Sequence, residues 1–176
     1  MRVSDTFLAF PPMLLPITLI AMLGPGLDHV VIAIALSWFP WYARILRVAV
    51  QTVKNEPYVD AARASGVHPL RVVARHVLPN SLTALVVQAT VDLGNVIQWA
   101  VALSFIGLGA VAPTLEWGLE LGDAWASFLY YWWTATFPGA AIAITVLALN
   151  LVGDGLRDAL DPKRRKVLLD SAGGPA

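Results

Sequence analysis

The basic residues of this chain are confined to three places, and that confinement limits what it can fold into more than any other feature. Arg2 stands alone at the start, a second group runs from Arg44 to Arg75, and a third from Arg157 to Lys166. No Lys or Arg occurs from Val3 to Ala43 or from His76 to Leu156. A water-soluble domain spreads charge over its whole surface. Here hydrophobic residues make up 57% and charged ones 14% of the 176 residues, against about 25% charged in ordinary globular domains. Lys plus Arg and Asp plus Glu each number 12, so net charge says nothing, whereas placement follows the positive-inside pattern of membrane proteins. Cysteine is absent, which excludes disulfides and thiolate metal sites. The first segment lacks a small-residue cleavage site and carries Asp5 early, so it does not read as a signal peptide.

A spanning helix needs about 20 mostly apolar residues. Four stretches are candidates: Phe7 to Leu23, interrupted by Pro11, Pro12 and Pro16; Val30 to Tyr42, continuing through Arg44 and Arg47, whose heads can snorkel to the interface; Leu82 to Leu108; and Thr136 to Val152. Four spans put both termini and all three basic groups on the cytoplasmic side. The outer loops, Gly24 to His29 and Gly109 to Ala135, then carry only acids, namely Asp28, Glu116, Glu120 and Asp123. The stretch from Ala112 to Ala135 is rich in Trp and Tyr, which favour the headgroup level. It is expected to form a short outer helix or a re-entrant piece. A fifth span would put the basic tail outside. Residues 163–176 are expected to be a disordered cytoplasmic tail.

The central island, Lys54 to Pro79, reads as helix, turn, helix. Pro57 suits a first turn, Tyr58 to Ser65 is Ala-rich, and Gly66 suits a left-handed cap. His68-Pro69 opens a second short helix, which Leu78-Pro79 is expected to break. From the residues alone, this is either a solvated loop held near anionic lipid by its basic groups or a docking element.

Within the third candidate span, Gln88, Asp92 and Asn95 fall at i, i+4 and i+7, on one helical face. An acid at membrane depth is costly and faces a cavity or a partner. The stripe is either a translocation-pathway lining or an interhelical hydrogen-bond set. His29, His68 and His76 lie in different loops and read as loop residues rather than metal ligands. No nucleophile–base pair suggests an enzyme, and no Gly-rich phosphate loop with Lys is present.

Asp60-Ala61-Ala62, then Gly66, then Leu78-Pro79 resembles the "EAA" loop of ABC-importer permeases, with Asp60 in place of the usual Glu. Further motifs follow in collinear order. They are Arg2-Val-Ser-Asp through Phe10-Pro11, Ala102-Leu-Ser-Phe-Ile-Gly-Leu-Gly109 with Pro113 and Glu116-Trp117-Gly118, Phe137-Pro138-Gly139, and Asn150 through Pro162. Together they resemble the C-type subunit of the dipeptide/oligopeptide/nickel permease family. The resemblance implies an all-α polytopic membrane protein with four transmembrane helices and a cytoplasmic coupling helix, a partial type I ABC-importer permease fold over residues 1–162. It implies a pore subunit for peptides or nickel, coupled to ATPases through Asp60, Ala61, Ala62, Gly66, Leu78 and Pro79. Implied partners are a homologous permease, two ABC ATPase subunits that bind the ATP, an extracytoplasmic binding protein and the lipid bilayer of the cell membrane. No cofactor or nucleic acid is implied. Two departures stand out. Family members have six spans and this chain begins where the third would, leaving an internal Met, a wrong start and a true truncation all open. Ala100 also stands where many members carry Glu. The alternative reading is a truncated or non-transporting four-span protein that acts as a structural partner.

Overall fold

The computed structural model describes residues 2–160. The expected tail, residues 163–176, lies outside the described residues. Every regular element among the described residues is helical. The chain opens with α1 (Arg2–Leu8) and α2 (Leu14–Leu23). Pro11 and Pro12 explain the gap, since a residue before proline is pushed out of the helical region. Pro16 breaks nothing, because it falls in the first turn of α2, where its missing N–H would have had no partner. At about 1.5 Å per residue, α2 is about 15 Å long, half of a bilayer core. The first expected span is therefore an interrupted one.

Among the described residues, three helices are long and apolar enough to cross a membrane. The first is α3 (Leu27–Lys54), which runs unbroken through Pro40 and carries Arg44, Arg47 and Lys54 beyond its apolar part. After it come the short α4 (Pro57–Ala64) and α5 (Pro69–Val72). The second long helix, α6 (Leu78–Phe105), is continuous with α5 through one π turn, Val73–Val77. The break expected at Leu78-Pro79 does not occur. In the π turn, Leu78 N–H donates to Val73 C=O, five residues back. The wider turn takes in one extra residue, and Pro79 follows it directly inside the continuous helix. A short helix, α7 (Trp117–Trp125), forms in the Trp-rich stretch, and α8 (Trp133–Leu160) is the third long one.

The centre of the bundle is α6, which packs against α3, α7 and α8. Glycines set the spacing. A Cβ on Gly153 of α8 would lie 2.8 Å from the Thr90 carbonyl oxygen of α6. On α7, Gly118 and Gly122 sit one turn apart, and their Cβ atoms would meet the carbonyl oxygens of Val101 at 2.6 Å and Phe105 at 3.0 Å. This small-xxx-small pairing lets backbones touch, as helices do where hydrophobic burial cannot drive association. Glu116 caps α7, accepting from Leu119 N–H at 2.9 Å. A small apolar core joins α2, α3 and α6 through Ile20, Val30, Ala33, Ile34 and Leu103. Most large apolar side chains stay outside it. On α8, Ile144, Leu147 and Leu151 are all more than 60% exposed on one side of the helix. Such a surface is untenable in water and suits lipid or another membrane subunit.

Candidate functional site

Two regions concentrate the polar chemistry. The first is the island around α4. Its helix starts after Glu56 with Pro57 in the first turn. It ends in a Schellman motif. Gly66 N–H donates to Arg63 C=O at 3.0 Å, and Val67 N–H reaches back to Ala62 C=O at 3.3 Å. Gly66 makes this possible with φ +76°, and a Cβ there would meet nothing within 4 Å. The requirement at Gly66 is thus one of backbone conformation, not of space.

The inner face of α4 is anchored. Val59 is fully buried against Val72 and Val77, with Val50, Val53, Ala62 and Val67 packed around them. Asn80 adds a polar strut, its amide donating to the Tyr58 hydroxyl at 3.2 Å. The outer face carries Asp60, Ala61, Arg63 and Ala64, all exposed. Asp60 and Arg63 pair with each other at 3.0 Å. The two alanines singled out in the sequence therefore separate: Ala61 faces outward, and Ala62 packs inward. Leu78 and Pro79 are exposed at the start of α6 and do not join the outer face of α4. Val59, Tyr58 and Asn80, which brace the helix, were not singled out by the motif. A spacing of Val59, Ala62 and Gly66 at i, i+3 and i+7 would have pointed to them.

The second region lies halfway along α6. Asp92 is 7% exposed and sits about 20 Å from either end of the helix. Three groups donate to its carboxylate: the Tyr42 hydroxyl at 2.9 Å and the Gln88 amide at 3.0 Å, both to Oδ2, and the Asn95 amide at 3.3 Å to Oδ1. The stripe Gln88, Asp92, Asn95 is thus one hydrogen-bonded unit. Trp99 extends the same face by one more turn, and on α3 Trp38 and Trp41 oppose it. These groups line a cavity of about 450 Å³, closed on one side by Pro11 and Pro12 in the α1–α2 gap. Trp38 and Trp99 meet edge to face at 5.7 Å. Neither Tyr42 nor the three tryptophans carried a sequence signal. Tyr42 is 50 residues from Asp92, and only the crossing of α3 over α6 brings them together.

No group of three or more His, Asp or Glu converges as a metal site among the described residues. His29 bonds the Gly24 carbonyl at 2.9 Å, and His68 and His76 stand at opposite ends of the α5–π segment. Ala100, where a Glu was expected from the resemblance, packs beside the apolar core.

These features define a multi-pass helical membrane protein with an acid buried at mid-depth and a braced helix projecting beside its basic island. The family described as "Binding-protein-dependent transport system inner membrane component" matches residues 1–166, and the chain belongs to that family. It is 48% identical to the "Di/tripeptide transport system permease protein DppC" of Pseudomonas aeruginosa strain UCBPP-PA14, over 93% of this chain and 54% of that protein. It is 45% identical to the "Dipeptide transport system permease protein DppC" of Escherichia coli K12, over 94% and 55%. Against the "Glutathione transport system permease protein GsiD" of Escherichia coli O1:K1 the identity is 44%, over 93% and 54%. The chain spans about half the length of the relatives it matches.

Proposed function

We propose that this chain forms part of the membrane pore of an ATP-driven importer of short peptides, with α4 as the element that docks into an ATPase subunit. The reading rests on one observation above all. A polar helix is held rigid at the basic end of the bundle, with Asp60, Ala61, Arg63 and Ala64 turned outward, in a chain of the binding-protein-dependent transport family. A force-transmitting element has to be stiff. The Schellman closure at Gly66 and the Val59 anchor supply that stiffness. Small Ala61 and Ala64 allow close approach to a groove, and Asp60 and Arg63 can exchange their mutual pair for charges on the partner.

In this reading the basic island and both termini are cytoplasmic, and the Trp-rich segment with α7 faces outward. A homologous permease completes the pore. Two ATPase subunits hydrolyse ATP, and an external binding protein delivers the peptide. The named relatives are peptide and glutathione permeases, which favours peptide over nickel as cargo. The Asp92 network lies on the translocation pathway. The deciding measurement is ATP-dependent uptake of labelled dialanine by proteoliposomes containing the complete assembly. Uptake that requires both this chain and the binding protein is expected, and its absence sinks the reading.

A further inference from the structure

We propose that the cavity between α3, α6 and the α1–α2 gap binds the free α-ammonium group of a peptide in transit, with Asp92 as its counter-charge and Trp38, Trp41 and Trp99 as its walls. This rests on the peptide-pore reading and assigns a chemical role to one of its surfaces. The first ground is charge. All three neighbours of the Asp92 carboxylate donate to it, which is the environment of an ionised acid, since an ionised carboxylate only accepts. No ion pair among the described residues includes Asp92. A carboxylate offers about four acceptor positions, and three are occupied. One position and one full negative charge remain, at a depth where an unbalanced charge is expensive.

The second ground is the wall. Indole faces attract cations within about 6 Å, more strongly where water is excluded. Three tryptophans line the same cavity as Asp92. An aromatic wall around an acid favours an ammonium over a carboxylate or a neutral amide. The third ground is size. At about 450 Å³ the cavity falls within the range of about 300–1,000 Å³ typical of small-molecule sites, and it sits at mid-depth, where a translocating solute must lose its water.

Ser37 lines the cavity without touching Asp92, and the chain has no cysteine of its own. The test uses Ser37→Cys in the complete assembly and compares a trimethylammonium-bearing with a sulfonate-bearing methanethiosulfonate, read as mass added to this chain. Relative to their rates with a free thiol in solution, the cationic reagent is expected to react about tenfold faster. Dialanine is expected to slow it, and N-acetyl-dialanine to leave it unchanged. Asp92→Asn should abolish the preference and Asp92→Glu should retain it. Because the rate ratio is also read without altering Asp92, a folding defect in those variants does not remove the test. Equal normalised rates for the two reagents, or no labelling by either, overturn the proposal. So does equal protection by the two peptides. Dialanine uptake measured on the same proteoliposomes separates this outcome from failure of the peptide-pore reading.

Discussion

The island around Asp60 and the centre around Asp92 each turn on one carboxylate, and they are built in opposite ways. Around Asp60 nearly everything is local. The helix cap and the Asp60–Arg63 pair close within the eight residues Asp60 to Val67, the Val59–Ala62 face packs on valines between Val50 and Val77, and Asp60 itself is exposed. Around Asp92 the decisive contact spans 50 residues, and the acid is buried. A local device can be damaged without unsettling the bundle. A buried hub assembled from two helices cannot, because each donor it orients becomes an unpaired polar group when the hub is lost.

That contrast makes graded predictions. The largest effect is expected from Asp92→Leu. It leaves the Tyr42 hydroxyl and the Gln88 and Asn95 amides without their acceptor, and a buried unsatisfied group costs about 1–3 kcal/mol. Thermal unfolding of the purified chain should move clearly downward, together with loss of transport. Normal values for both would show that the network is dispensable.

Next is Gly66→Val. Its Cβ meets no neighbour, so the cost is the left-handed backbone, about 1–2 kcal/mol. The bundle should keep its stability while α4 tilts and ATPase co-purification drops. A matching fall in bundle stability would erase the distinction between the two regions.

Tyr42→Phe sharpens the same comparison from the other side. It removes one of three donors and should cost about 0.5–1.5 kcal/mol, visible in thermal unfolding, with ATPase binding untouched.

The smallest stability effect belongs to Asp60→Lys. An exposed pair contributes about 0–1 kcal/mol, so unfolding should scarcely move. Substrate-stimulated ATP hydrolysis by the assembly should nevertheless fall. If hydrolysis stays at the wild-type level, α4 is only a solvated loop.

Much of the architecture was legible because its causes are short-range. Membrane insertion follows from where Lys and Arg stand. The long helices follow from apolar length, the first gap from Pro11-Pro12, and the cap of α4 from Gly66. Proline was the uneven signal. Pro16 and Pro79 read alike as breakers, yet neither interrupts its helix in the structure. Whether a proline breaks a helix depends on which carbonyl it displaces, and for Pro79 a π turn absorbed the misfit.

By itself the sequence determined that the chain is helical and membrane-bound, that its basic island opens on a short helix closed at Gly66, and that Gln88, Asp92 and Asn95 share a face. Periodicity and residue chemistry act over a few residues and can be read along a line. Only the tertiary structure decided that Tyr42 donates to Asp92, that three tryptophans wall the same cavity, and that Ala62 faces inward while Ala61 faces out. Those facts depend on the angle and depth at which α3, α4 and α6 meet. Val30, Ala33, Ile34 and Leu103 between α3 and α6, with the buried valines under α4, set that geometry collectively, and no spacing within one helix encodes it.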